Sequence, residues 1–200
     1  MKTAGNPFLA TFEALDFEHI ADHPNILIAA RFWDDDRYRA ARICYRLMRY
    51  IDDYIDDYKS AHETIAVSDQ GRFQRDVETW INDIRKKAGD DVVEQELLAT
   101  FNTFKIPLWP MEDFARAMIY DINHDGFETL DTFLEYAQGA SVAPAAIFVH
   151  LCGLRGTPGS YLEPAFDVRE AARACAVFSY LVHIIRDFRK DQLNHLSYFA

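Results

Sequence analysis

Cysteine is scarce in this chain, and its scarcity limits the kinds of site the protein can contain. The 200 residues include only Cys44, Cys152 and Cys175, which are far apart and form no Cys-x-x-Cys pair. Three is also an odd number, which does not suit a disulfide framework. We therefore expect reduced thiols that behave as small hydrophobic side chains in a cytosolic protein.

Long apolar runs are also missing. The longest nearly apolar stretch, VAPAAIFVHLCGL at residues 142–154, is too short to span a bilayer and contains a histidine. It predicts a buried helix. The first residues, MKTAGNPFLATFEALDFEH, carry one lysine and several acids and lack the apolar run of a signal peptide. We expect a cytoplasmic location.

Positive charge is in short supply. The chain has 21 Lys and Arg against 32 Asp and Glu, which gives a net charge of −11. This balance argues against a partner of duplex nucleic acid, which requires a basic face. Net charge alone leaves two interpretations open, a protein whose acids hold cations and an ordinary soluble acidic protein.

Alternating apolar residues, the mark of a half-buried strand, are not present in runs long enough to predict a sheet. Half of the residues are hydrophobic, and 200 residues suit one domain with a substantial core. The predicted fold is a single all-α domain, a helical bundle over residues 1–200. The spacing of apolar residues predicts helices at 9–21, 24–33, 35–59, 69–87, 90–105, 110–124, 129–154 and 166–192.

Four aspartates crowd one of these predicted helices, in the stretch YRLMRYIDDYIDDYK at residues 45–59. Because residues four apart lie on one side of a helix, Asp52 stacks with Asp56 and Asp53 with Asp57. Like charges at this spacing repel by a few tenths of a kcal/mol per pair, so solvent, a cation or a basic partner must offset them. A solvated acidic face remains one interpretation of this pattern.

A basic residue and a hydroxyl continue the same face. Tyr45, Arg49, Asp52 and Asp56 follow one another at helical spacing. The helix also carries apolar residues at positions such as Ile51 and Ile55, so part of it is predicted to be buried.

A second acidic stripe lies near the end of the sequence. In SYLVHIIRDFRKDQLNHLSYF, residues 179–199, the side chains of His183, Asp187 and Asp191 are again four apart. Arg186, Arg189 and Lys190 lie beside them.

Two such stripes that face each other across a bundle could bind a metal and a phosphate together. Carboxylate oxygens are the natural ligands of Mg²⁺, which in turn binds phosphate oxygens that arginine can also hold. A site of this kind stabilises a departing diphosphate, and the carbocation left behind needs an apolar, aromatic pocket that excludes water.

Both stripes resemble the motifs of the squalene/phytoene synthases, the head-to-head prenyl diphosphate synthases, and especially of bacterial hopanoid-type members. The family's first motif is similar to Tyr45 followed by RYIDDYID at residues 49–56. Its second motif is similar to HIIRDFRKD at residues 183–191, and a middle region to residues 121–136. Upstream, HPNILIAARFW at residues 23–33 resembles the family's start, with Asn25 at a matching asparagine.

This resemblance implies a class I isoprenoid synthase fold and Mg²⁺ as cofactor. It implies the condensation of two prenyl diphosphates, farnesyl or geranylgeranyl, to a squalene-, presqualene- or phytoene-type product. The implied metal ligands are Asp52, Asp53 as a helper, Asp56, Asp187 and Asp191. The residues implied to contact or orient diphosphate are Asn25, Tyr45, Arg49, His183 and Arg186. An apolar product would favour peripheral contact with a membrane.

The chain departs from the family pattern at several positions. His183 replaces the usual asparagine, Tyr180 a frequent glutamine, Lys190 the usual acid before Asp191, and Gly126 a common arginine. Family members usually continue for several more helices, so we expect the C-terminal helices to be missing here.

Three functions therefore remain under consideration. The leading hypothesis is the Mg²⁺-dependent prenyltransferase. A class I terpene cyclase-like enzyme or a single-step prenyl diphosphate enzyme is a second, and a non-catalytic relative that binds prenyl lipids or acts as an assembly factor is a third. Prenyl chain length, the released product and the oligomeric state are not determined by the sequence.

Overall fold

A computed structural model of the protein describes residues 25–62, 65–86, 92–124 and 126–193. Within these ranges the side chains of Asn25, Lys190 and Asp191 and of residues 92–94 are not described. The predicted helix at 9–21 lies outside the described residues.

The described residues form an all-α bundle, as the periodicity predicts. Its helices are α1 Asn25–Ala30, α2 Asp35–His62, α3 Val67–Lys86, α4 Val92–Phe104, α5 Trp109–Asn123, α6 Leu130–Ala137, α7 Ala143–Gly153 and α8 Val168–Leu193. With α6, the π segment and α7 taken together as the predicted helix 129–154, these helices begin and end within three residues of the predicted ones. An isolated antiparallel bridge joins Arg155 and Leu162 in the loop before α8.

The predicted helix at 129–154 is interrupted by one π-helical stretch, Gln138–Val142, between α6 and α7. Thr129 caps the start of α6, with its hydroxyl accepting a hydrogen bond from the backbone N–H of Thr132 at 3.1 Å. Buried Gly139 lets the π segment approach α5 closely, because a Cβ there would lie 2.7 Å from the Cβ of Ala117 and would also collide with the carbonyl oxygen of Asp113.

Helix α7 fills the centre of the bundle, as its apolar composition predicts. It packs against α2, α5 and α8, and its Ile147 and Leu151 are fully buried. His150 is buried there too, and its Nε2 lies 2.9 Å from the carbonyl oxygen of Phe104. This residue is thus a hydrogen-bonded core histidine, as expected of a histidine in an apolar run.

A charged contact fixes the start of α8 against α5. The buried carboxylate of Asp113 pairs with Arg116 and with Arg169, the latter at 2.6 Å. The Arg169 guanidinium also lies 3.8 Å from the centre of the Trp109 ring, a cation–π distance. Farther along, the Ser141 hydroxyl donates to the carbonyl oxygen of Ala176 at 2.9 Å, which ties the π segment to α8.

All three cysteines are free thiols, as predicted, but they differ in exposure. Cys44 is fully buried in α2, whereas Cys152 and Cys175 are exposed. The description as packed small side chains therefore holds for Cys44 alone. In the described part of the chain, no helix combines the length and apolarity needed to cross a membrane.

Candidate functional site

The first acidic stripe is organised by Arg49. Its Nη1 donates to Asp52 Oδ2 at 2.8 Å, and its Nη2 lies 2.5 Å from Asp53 Oδ1. Asp52 and Asp53 are three and four residues beyond Arg49 on α2, so one guanidinium reaches both carboxylates. A basic partner therefore offsets part of the charge that the sequence crowds into this helix.

The pKa values of Asp52 and Asp56 reflect their burial and the negative charge that Arg49 does not offset. Burial raises the pKa of Asp52 to about 6, with Arg49 opposing the rise and Asp53 adding to it. Burial raises the pKa of Asp56 to about 8, and the carboxylates of Asp52 and Asp121 add to this rise. Arg49 and Lys59 oppose it only in part. The site thus holds more negative charge than its basic neighbours offset.

Asp121 brings a fourth carboxylate to this stripe from α5. Its Oδ2 accepts a short hydrogen bond from the hydroxyl of Tyr136 on α6. Neither residue was among the predicted site residues, although both lie in the middle region that carries the family resemblance. The signal that could have found them is the acid and the aromatic at the two ends of that region, residues 121–136.

Lys59 joins the stripe to the end of α5. This lysine is only 6% exposed, and its Nζ donates to the carbonyl oxygen of His124 at 2.8 Å. The contact holds α2 against the C-terminal end of α5, next to Asp121. Sequence reasoning missed Lys59 because a lysine after an acidic run is typical of an exposed helix end.

Aromatic rings line the side of the site formed by α5, α6 and α8. The Tyr136 ring lies 4.9 Å from that of Phe127 and 5.5 Å from that of Tyr120, measured between centroids. The Tyr180 ring of α8 lies 5.9 Å from Phe133 and 6.1 Å from Tyr136. Apolar ring faces thus stand directly beside the Tyr136–Asp121 hydrogen bond. This aromatic cluster consists of Tyr120, Phe127, Phe133, Tyr136 and Tyr180.

The second acidic motif lies on α8, where Asp187 forms an ion pair with the adjacent Arg186. Arg186 donates to the two oxygens of Asp187, from Nε at 2.7 Å and from Nη2 at 2.6 Å. The pKa of His183 lies below its usual value because of partial burial and the charge of Arg186, which Asp187 opposes. The lowered pKa favours a neutral imidazole, which can accept a hydrogen bond or bind a metal without repelling it.

Tyr180 shows how close α8 comes to the first stripe. The pKa of its hydroxyl is raised well above the usual value by burial and by the charges of Asp121, Asp52 and Asp56. Asp187 lies two turns farther along the same side of α8, about 10 Å along the helix axis. The structure therefore brings α8 to the acids of α2 at Tyr180, with the second motif beyond it.

The predicted site residues fall into two groups. Tyr45, Arg49, Asp52, Asp53 and Asp56 lie together on α2, and His183, Arg186 and Asp187 lie together on α8. Asn25 and Asp191 lie in α1 and α8, but their side chains are outside the description.

Carboxylate oxygens are suitable ligands for Mg²⁺. The raised pKa of Asp56 is also what is expected of a carboxylate whose negative charge is not balanced by a nearby cation. Within the described residues, however, no group of three or more Asp, Glu, His or Cys side chains is arranged to hold a metal ion. The residue types therefore suit Mg²⁺, but the described side chains are not arranged around a common metal position.

A comparison with models of known protein families gives one match. The family model described as squalene/phytoene synthase matches residues 22–199, nearly the whole chain. No curated protein and no solved structure matches the sequence.

Proposed function

Because the chain belongs to the squalene/phytoene synthase family, we propose that it is a Mg²⁺-dependent prenyltransferase that joins two prenyl diphosphates head to head. Membership implies this class of condensation for the family as a whole. The proposal for this chain is that farnesyl or geranylgeranyl diphosphate is converted to a squalene-, presqualene- or phytoene-type product.

The observation that carries the proposal is the crowding of carboxylates beside one arginine. Burial and then the carboxylates of Asp52 and Asp121 raise the pKa of Asp56 to about 8. A helix face with surplus negative charge and a half-exposed guanidinium, Arg49, suits a cation that bridges to a diphosphate. A merely solvated acidic face would leave these carboxylates fully exposed, whereas Asp52 and Asp56 are partly buried.

Each residue has a proposed role. Asp52, Asp56, Asp187 and Asp191 would hold Mg²⁺, with Asp53 as a helper that also anchors Arg49. Bound Mg²⁺ would supply the positive charge that stabilises diphosphate as a leaving group.

The diphosphate-binding residues carry the second part of the proposal. Arg49 and Arg186 would bind diphosphate oxygens, which requires each to exchange an aspartate partner for the substrate. Asn25, Tyr45 and His183 would orient the same group. The aromatic cluster beside Asp121 would hold the prenyl chain and keep water from the cation.

A second candidate is a non-catalytic relative that binds a prenyl lipid. The Arg186–Asp187 contact favours it, because a bidentate arginine already occupies both oxygens of a proposed metal ligand. Lys190, in place of the usual acid, also lowers the negative charge of the second motif.

Product analysis separates the two candidates. We would incubate the protein with farnesyl and geranylgeranyl diphosphate, with and without Mg²⁺, and identify extracted products by mass spectrometry. We expect a Mg²⁺-dependent C30 or C40 product from the wild type. Asp52→Asn and Asp187→Asn should reduce its rate at least 100-fold, about 2.7 kcal/mol of transition-state stabilisation, with the fold retained.

Asp57→Asn is the matched control, since Asp57 is exposed on the same helix and should leave the rate unchanged. Normal turnover by Asp52→Asn would contradict the metal assignment. Mg²⁺-dependent binding of a diphosphate analogue without any product would support the binding relative instead.

A further inference from the structure

Tyr180 occupies the boundary between the apolar and the charged parts of the site. Its ring is nearly parallel to that of Phe133, with an interplanar angle of 10° and a centroid distance of 5.9 Å. It also packs 6.1 Å from the Tyr136 ring. Ile184, one turn farther along α8, is buried in the same cluster, so the position of the ring is fixed by packing.

The hydroxyl of Tyr180 lies within electrostatic reach of the carboxylates. Tyr136, which the Tyr180 ring contacts, donates its own hydrogen bond to Asp121. The charges of Asp121, Asp52 and Asp56 all act on the Tyr180 hydroxyl. The residue therefore packs in the aromatic cluster and lies under the electrostatic influence of the acids.

A prenyl diphosphate bound across this boundary would place its first carbon close to Tyr180. Its diphosphate would lie at the carboxylates with Mg²⁺ and its apolar chain along the aromatic cluster, so the allylic carbon between them would lie near the ring. This placement rests on the proposed function.

We propose that the ring of Tyr180 contacts this allylic carbon and stabilises the cation formed there. When the carbon–oxygen bond breaks, its electron pair leaves with the diphosphate and the positive charge remains on the allyl group. An aromatic face close to such a charge attracts it, and the ring also keeps water from the carbon. No covalent bond to Tyr180 forms.

The residue type at this position differs from that of many family members. Many members of the family carry glutamine where Tyr180 stands, and glutamine offers an amide but no aromatic face. The role is therefore inferred from the position of the ring here and is not carried over from the family motif.

Binding of a cation mimic tests the proposal without turnover. We would titrate farnesyl dimethylammonium and its uncharged carbon isostere into the protein with Mg²⁺ and inorganic diphosphate, by calorimetry. The wild type should prefer the ammonium. Tyr180→Leu should lower that preference about 3- to 30-fold, the range of cation–π attraction, and Tyr180→Phe should retain it.

Farnesyl thiodiphosphate, an unreactive substrate analogue, serves as the reference ligand. It should bind the wild type and all variants with similar affinity, because its carbon is uncharged. Tyr180→Gln removes the ring while restoring a residue the family tolerates, and it replaces Tyr180→Leu if circular dichroism shows that the leucine variant is unfolded. In product assays, both variants should release a larger share of prenyl alcohol, formed when water captures the cation.

The outcomes separate the two proposals. If the wild type binds farnesyl thiodiphosphate but Tyr180→Leu and Tyr180→Gln keep the full ammonium preference, the role of Tyr180 is refuted and the proposed function stands. If Tyr180→Phe loses the preference as fully as leucine does, the hydroxyl rather than the ring is responsible, which also refutes the proposal. If the wild type binds no prenyl diphosphate analogue, the proposed function fails, and the role of Tyr180 fails with it.

Discussion

At the scale of single residues, the site is defined by acids that are kept close together against their mutual repulsion. Arg49 bonds Asp52 and Asp53 but leaves Asp56 to face Asp52 and Asp121. Burial raises the pKa of Asp56, and this charge imbalance raises it further. Carboxylates that repel one another in the absence of a ligand favour the binding of a cation, because the cation offsets their repulsion.

The raised pKa of Asp56, caused first by burial and then by the neighbouring carboxylates, predicts how the stability of the metal-free protein responds to pH. The pKa of Asp56 is about 8 in the folded state against 3.8 ordinarily, so between these values the folded state binds a proton that the unfolded state does not. Stability should therefore fall as pH rises from about 4 to 8. We expect Asp56→Asn to weaken this decline and to melt about 2–4 °C above the wild type at pH 8 in EDTA, the shift that ~1 kcal/mol gives at this size.

Thermal unfolding followed by circular dichroism from pH 5 to pH 8.5 measures this effect. Asp57→Asn removes a neighbouring but exposed charge and should follow the wild-type curve. A wild-type stability that rises steadily with pH over this range would show that Asp56 is not held protonated in the folded protein.

At the scale of elements, the π-helical segment positions the site. It packs against both α5, which carries Asp121, and α8, which carries Tyr180. A π turn adds a residue within a helix and changes the direction of the side chains that follow, and such turns are frequent at functional sites. Gly139 permits the close approach to α5, since any side chain at that position would collide with the α5 backbone.

Gly139→Ala should therefore push α5 and the π segment apart. The added methyl group would lie 2.7 Å from the Cβ of Ala117, so we expect a loss of about 1–3 kcal/mol from overpacking. The melting temperature should fall by roughly 3–10 °C, measured by circular dichroism at 222 nm. Prenyl-analogue affinity should fall as well, because Asp121 and Tyr136 would separate.

Gly71→Ala provides the matched control. Gly71 is exposed in α3, and an added Cβ would meet only the Arg75 side chain at 3.4 Å. Alanine there should leave the protein unchanged or stabilise it by up to about 1 kcal/mol through helix propensity. Equal melting temperatures for Gly139→Ala and the wild type would contradict the close packing described here.

At the scale of the whole molecule, the two motifs are carried by long helices that the bundle holds near each other. Helices α2 and α8 are far apart in the sequence, and both pack against α7. A ligand that touches both motifs should therefore stabilise the entire bundle.

This arrangement predicts cooperative stabilisation by Mg²⁺ with a diphosphate. At a hundredfold excess over the dissociation constant, farnesyl thiodiphosphate with Mg²⁺ should add about 2.7 kcal/mol to the free energy of unfolding. Neither Mg²⁺ nor the analogue alone should do so. Hydrogen exchange should slow in α2 and α8 together, and Asp52→Asn should abolish the effect. Protection confined to α2 would show that the second motif takes no part in binding.

The sequence by itself determined the helices and the family. Helix bounds follow from local causes, namely the spacing of apolar residues, the cap at Thr129 and proline in the first turn of α5. The acidic stripes could likewise be identified by counting along the chain, since residues four apart share a helix face whatever surrounds it.

Only the tertiary structure decided which side chains meet. Asp121, Tyr136 and Tyr180 come from three helices. The buried Lys59 donates a hydrogen bond to a carbonyl group 65 residues away. No local pattern encodes such contacts, because they depend on how helices cross. The pKa of Asp56 belongs to the same class, since burial and the charge of Asp121 exist only once α2 and α5 have packed.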